Sequence, residues 1–150
     1  MTTSPMNWRQ LLFGFSGRIN RARFWIGTIL LVFAWIAAWT LFSWMFMQAG
    51  PLIPVYGFGI AAGVIILWGQ LGICIKRLHD RGKSGGWLLI FWALPAAVNY
   101  VGQGFTEEDS LRIAAAVVIG AIGLWSLIEF GFLRGVKGSN NYGPDPLLTA

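Results

Sequence analysis

No charged residue stands between Arg23 and Lys76. A bilayer core about 30 Å thick takes roughly 20 apolar residues of helix, so this one interval has room for two crossings. The segment QAGPLIP at residues 48–54 carries two prolines and a glycine, which break a helix. It divides the interval into spans over residues 24–47 and 55–75. A third apolar run, residues 86–103, contains Pro95 and Asn99 and is expected to be kinked or imperfect. A fourth covers residues 111–133. The composition agrees: 56% of the chain is hydrophobic and 11% is charged, against roughly 25% charged in soluble chains. The expected fold class is an all-α integral membrane protein, a bundle of four transmembrane helices forming a single membrane domain over residues 1–150.

A net charge of +5 suits either a nucleic-acid binder or a membrane protein with basic loops. Position decides between them. Arg9, Arg18, Arg21, Arg23, Lys76, Arg77, Arg81, Lys83, Arg134 and Lys137 flank the ends of the apolar runs on one side. Arg112 alone falls on the other, beside Glu107, Glu108 and Asp109. Clustering at span ends argues against nucleic acid. Positive residues concentrate on the cytoplasmic side, so the expectation is a multi-pass inner-membrane protein with both termini in the cytoplasm, residues 134–150 forming a cytoplasmic tail. The first apolar run is too long for a signal peptide and is expected to remain as an anchor.

Ahead of the first span, Trp8, Leu11, Leu12 and Phe15 share one helical face, which suggests a short helix lying in the interface, the alternative being a frayed tail. Small residues four apart (Ala34 and Ala38, Gly59 and Gly63, Ala116 and Gly120) would permit close helix approach in lipid. The single cysteine, Cys74, reads as a small buried hydrophobe. No Cys/His cluster has metal-ligand spacing, and no cofactor is expected.

The most unusual stretch is RLHDRGKSGGW, residues 77–87. Gly82 can end one helix in the left-handed conformation, Ser84 can cap the next, and Trp87 suits an aromatic belt. This connection, taken as a charged loop from residue 76 to 85, joins spans two and three. His79, Asp80 and the density of basic groups are not required by that role.

Three motifs separated by apolar spans, FSGRINRARFW at residues 15–25, KRLHDRGKSGGW at residues 76–87 and GVKGSNNYGPDP at residues 135–146, resemble those of a bacterial inner-membrane family known as domain of unknown function 805. The likeness covers nearly the whole chain. It falls on Gly17, Arg18, Arg21, Phe24 and Trp25; on Arg77, Leu78, His79, Asp80, Gly82, Ser84, Gly85 and Trp87; and on Gly138, Asn140, Tyr142, Gly143, Asp145 and Pro146. Three positions depart from the family pattern. Arg23 stands where the family often has an acid, Gly86 where it often has a second tryptophan, and Lys76 where it often has arginine. The resemblance implies a membrane fold and a location, and no activity.

All three motifs fall on one side of the expected bundle. They converge either because the loops pack on one another or because they build a binding site. In the packing account Asp80 and Asp145 pair with nearby arginines, and NNYGPDP is a folded turn. In the binding account surplus basic residues attract anionic lipid headgroups at about 1 kcal/mol each, or loop N–H groups cradle a phosphate. The candidate residues of this face are Arg18, Arg21, Arg77, His79, Asp80, Arg81, Lys83 and Asn140. Glu129 and Gln70 are intramembrane polar groups, and an ionisable residue there is a candidate site. Glu129 is expected to pair with Arg134, Arg77 or Lys76, or to meet Gln70.

His79 and Asp80 are the only plausible acid–base pair, and sequence neighbours in a helix do not face each other. No catalytic residue is assigned, and an enzyme is not expected. The leading expectation is a binding or assembly role, with anionic lipid, another membrane protein or a second copy as partner. The alternative is a transporter or channel subunit that uses Glu129.

Overall fold

A computed structural model describes residues 7–104, 106 and 110–148. Among the described residues the fold is all helical apart from one isolated bridge between Asn140 and Gly143. Four helices are long and apolar enough to cross a membrane: α2 (Arg21–Ala49), α3 (Ile53–Asp80), α4 (Gly85–Gly102) and α5 (Ser110–Phe132). A short helix α1 (Trp8–Phe13) precedes them. Most of the acidic segment at residues 104–110 and the last two residues lie outside the described residues.

The helix ends follow from their capping residues. Asn20 accepts the Arg23 N–H at 2.9 Å and starts α2. Gly50, at φ 72°, ends it. Gly82 takes φ 72° after α3, with the Lys83 N–H reaching back to the Leu78 carbonyl at 2.9 Å. Ser84 makes no side-chain cap, and α4 opens instead with a tight 3₁₀ turn over Gly85–Trp87.

α3 continues five residues beyond the span expected from sequence, so that Lys76, Arg77, His79 and Asp80 are helical and not a loop. The charges there find partners on neighbouring segments. The helix therefore does not have to end in order to solvate them.

Two stretches widen to π-helix, Leu89–Ala93 in α4 and Ile128–Phe132 in α5. The first adjoins Pro95. Proline has no N–H to give to the carbonyl four residues earlier, and the widened turn absorbs that gap. The irregularity expected in the third span is thus a π turn. The second turns Glu129, Phe130 and Gly131 inward, where all three are buried.

α2 packs along α3, and α4 along α5, as two antiparallel hairpins. They meet chiefly through the first turn of α4 against α3 and the last turn of α5 against α2 and α3. The packed core lies at this end, around Ile19, Phe24, Ile73, Leu78, Phe91 and Phe130. Farther along, the spans present apolar side chains outward, such as Phe33, Trp39 and Ile60, as a lipid-facing surface does.

Of the expected small-residue contacts, Gly59 lies against Phe42, whereas nothing would come within 4 Å of a Cβ at Gly63 or Gly120. A close approach of backbone to helix occurs at Gly72. A Cβ there would sit 2.9 Å from the Gly14 carbonyl oxygen and 3.2 Å from that of Leu12. This lets the chain after α1 run directly over α3. Leu11 is buried beneath it, and the Phe15 ring meets Trp68 edge-on at 4.9 Å.

Candidate functional site: an interlocked charged end

The start of α2, the end of α3, the start of α4, the end of α5 and the tail after Leu133 all gather at one end of the bundle. Asp80 is their hub. An acid in the last turn of a helix opposes the helix dipole, so this carboxylate requires cations. Arg18 reaches one oxygen, with Nη2 at 3.1 Å and Nε at 3.2 Å. Arg77 reaches the other, with Nη1 at 2.5 Å. All three residues are buried. The ion pair from the first motif to α3 therefore uses Arg18 and Asp80 and does not depend on an acid at position 23.

Each arginine spends its remaining donors on carbonyls. Arg18 donates to Val136 and Gly138, both at 2.6 Å, and to Gly143 at 3.2 Å. Arg77 donates to Phe130 at 2.7 Å and to Leu133. Arg21 donates to Phe132 at 3.0 Å, and the Trp25 indole to Gly131 at 3.2 Å. The π turn and the end of α5 free these carbonyls, and side chains of α2 and α3 satisfy them. The chain between Leu133 and Val136 lies so close to α3 that a Cβ at Gly135 would fall 2.1 Å from Asp80 Oδ2.

The tail is folded by its own residues. Asn140 donates to the His79 carbonyl at 2.8 Å and accepts the Tyr142 N–H at 2.9 Å. Glycines 138 and 143 take positive φ values of 77° and 134°, conformations that a side chain would strain. Asp145 accepts N–H groups from Leu147 at 3.0 Å and Gly138 at 3.1 Å. These bonds, led by that from Leu147, hold its carboxyl below the usual carboxylate range, and the charges of Arg18 and Arg134 add to the effect. The His79 ring stacks on Tyr142, with centroids 3.9 Å apart and planes 4° off parallel. Its Nδ1 lies 3.2 Å from the Gly17 carbonyl oxygen.

Lys76 was not among the candidate residues of this face. It is fully buried, and its ammonium donates to the carbonyls of Leu11 at 2.6 Å, Gln10 at 2.9 Å and Gly14. It thus caps the C-terminal end of α1, where a cation is favoured. Gly135 and Tyr142 also belong to the clasp. Both were visible in the sequence only as parts of the third motif.

Glu129 forms a second, separate cluster. Its partners are Lys83 Nζ at 2.9 Å and Arg81 Nε at 3.1 Å. They are neither the basic residues expected from sequence nor Gln70, whose amide meets Cys74 Sγ at 3.5 Å. The π turn rotates Glu129 toward the connection after α3, where Arg81 and Lys83 stand. The Lys83 ammonium also lies 4.4 Å from the Trp87 ring centre, a cation–π contact. Glu129→Gln removes the charge from a buried partner of two largely buried cations. It is expected to lower stability by about 1.5–3 kcal/mol, the worth of charged hydrogen bonds, as measured by unfolding in detergent. Lys83→Met is expected to lose less, because Arg81 remains.

Of the eight candidate residues, Arg18, Arg21, Arg77, His79, Asp80 and Asn140 share the first cluster, and Arg81 and Lys83 belong to the second. Beside the first lies a cavity of about 260 Å³. Its floor is the Arg77–Asp80 pair, and Arg21, Arg134, Asp145 and Leu147 line it as well.

A family model described as "Protein of unknown function (DUF805)" matches residues 12–144. The chain is 32% identical over 146 residues to "Uncharacterized protein YiiR" of Escherichia coli (strain K12), covering 93% of this chain and 90% of that protein. It is 26% identical over 133 residues to "Inner membrane protein YhaI" of the same strain, with 89% and 86% covered. With "Inner membrane protein YhaH" the identity is 24% over 139 residues, with 90% and 88% covered. No solved structure matches.

Proposed function

The chain belongs to the DUF805 family, two relatives from which are named inner membrane proteins, and from that premise we propose an inner-membrane binding protein. Both ends face the cytoplasm. The charged end is a prefolded platform on which an anionic lipid or a membrane-protein partner assembles. One observation carries this reading. Asp80, Arg18 and Arg77 lock three distant segments into one face, while Arg21, Arg134 and Lys137 remain on it without a salt bridge among the described residues. A rigid scaffold with spare cations loses little entropy on binding an anion.

The orientation is supported by the placement of ten of the eleven basic residues at that end. Trp8 and Phe13 of α1 are exposed, which suits a helix lying in the inner interface. A binding role is favoured over catalysis because His79 is engaged by Tyr142 and Gly17. It is favoured over transport because Glu129 is held by two cations.

Reporter fusions test the reading. Alkaline phosphatase joined after Pro51 is expected to be active, as in the periplasm, and a fluorescent reporter joined after Gly82 is expected to be bright, as in the cytoplasm. Reversed activities would remove the inner-leaflet role.

A further inference from the structure

The cavity beside Asp80 combines several features that favour an anion. Arg21 and Arg134 line it as exposed side chains. Arg134 makes no side-chain hydrogen bond and no salt bridge among the described residues. Its carbonyl accepts from Arg81, and its guanidinium lines the cavity with Asp145 as the nearby opposite charge. Asn20 and Ala22 bring the start of α2 to the same wall. The N–H groups of Arg21 and Ala22 have no acceptor among the described residues, and the first turn holds no acid. Helix dipole and side-chain charge therefore act on the same space.

The acids at the cavity do not cancel this field. Asp80 is committed to Arg18 and Arg77, and Asp145 accepts two backbone N–H groups. Arg21, Arg77 and Arg134 line it with Asp80 and Asp145, and Arg18 behind Asp80 adds a fourth positive charge, a local excess of two. The volume, about 260 Å³, equals roughly eight waters at ≈ 30 Å³ each. It has room for a phosphate group and part of its hydration.

The surroundings indicate where such a group would come from. Arg21 is the first residue of one span, and Arg134 lies two residues past the end of another. Both stand at the ends of candidate spans, where the headgroup region of a bilayer would begin. Leu147 lines the cavity, and it and Leu148 are exposed, so an apolar rim adjoins the charged hollow. Acyl or glycerol carbons attached to the phosphate would cover that rim.

We propose that this cavity binds the phosphate of an anionic phospholipid headgroup, held by Arg21, Arg134 and the N–H groups that open α2. The assignment rests on the reading of the charged end as a binding platform proposed above.

The test uses the purified full-length chain. Native mass spectrometry compares phosphatidylglycerol with phosphatidylcholine, and a separate arm adds inorganic phosphate alone and follows thermal stability. Wild type is expected to retain phosphatidylglycerol preferentially. Arg21 also holds the Phe132 carbonyl, so Arg134→Gln is the decisive variant. It is expected to weaken retention about tenfold or more, as for loss of a charged hydrogen bond. Lys137→Gln, on the same tail but not among the residues lining the cavity, is expected to weaken it distinctly less.

Equal loss in the two variants, or no preference for the anionic lipid, would overturn the site. Stabilisation by inorganic phosphate that depends on Arg134, without lipid retention, would keep the anion site and overturn the lipid as its source. Arg134-dependent lipid binding in a protein whose fusions place this end outside would keep the site and remove the orientation. Correct fusions without binding would remove the site alone.

Discussion

Asp80→Asn is expected to destabilise the folded protein by about 3–5 kcal/mol, the cost of leaving a buried charge without its partner. The substitution keeps the shape of the side chain and removes its charge. Arg18 and Arg77 are both buried, and among the described residues their salt bridges go to Asp80 alone. Each would keep its carbonyl bonds, to Val136, Gly138 and Gly143 for Arg18 and to Phe130 and Leu133 for Arg77. Carbonyl dipoles and the more distant carboxylates of Asp145 and Glu129 would then have to stabilise two guanidinium charges lying close together. The loss should appear as low abundance in the membrane and an earlier unfolding transition in detergent. The opposite ends of the spans should be little affected, because the hairpins meet chiefly at the charged end. Unchanged stability would show that the carbonyls and the more distant carboxylates suffice for the two arginines.

Gly135→Ala is expected to release the tail. A Cβ at this position would lie 2.1 Å from Asp80 Oδ2 and 2.5 Å from its Cγ. Contacts below 3 Å are cheap only when the obstacle can swing away. Here the obstacle is a carboxylate gripped by two arginines, so the chain at residue 135 has to move. With it go the bond from the Val136 N–H to the Asp80 carbonyl, 2.8 Å long, and the grip of Arg18 on Val136 and Gly138. Overpacking alone costs about 1–3 kcal/mol, and the lost bonds add to it. Limited trypsin digestion reads the result directly, since Arg134 and Lys137 flank the position. Cleavage there should accelerate strongly while the spans stay intact. A cleavage rate equal to wild type would mean that the tail is held by its own turn and not by Asp80.

Much of the clasp was legible as motifs but not as contacts. Arg18, Arg77, Asp80 and Asn140 stand out in a membrane protein because charged and turn-forming residues are rare there. Their convergence on one side follows from the order of four spans. The stack of His79 on Tyr142 and the choice of Glu129's partners were not legible. Both depend on how each helix is rotated about its axis, and one residue in an α-helix turns the side chain by about 100°. The two π turns insert such rotations where no periodicity announces them. Lys76 shows the same limit from the other direction. A lysine at the end of an apolar run reads as a solvated flank, yet here the open end of α1 supplies it with three carbonyls.

The sequence by itself determined four membrane-spanning lengths, a charged end and an apolar remainder. These are local properties, and the thickness of a bilayer and the cost of burying charge translate them directly into structure. Only the tertiary structure decided that α3 runs on to Asp80, that residue 18 reaches across to residues 80, 136, 138 and 143, and that Arg81 and Lys83 hold Glu129. Whether a charge is paired depends on distances of a few ångströms between segments far apart in the chain. No local pattern of residues encodes those distances before the helices have packed.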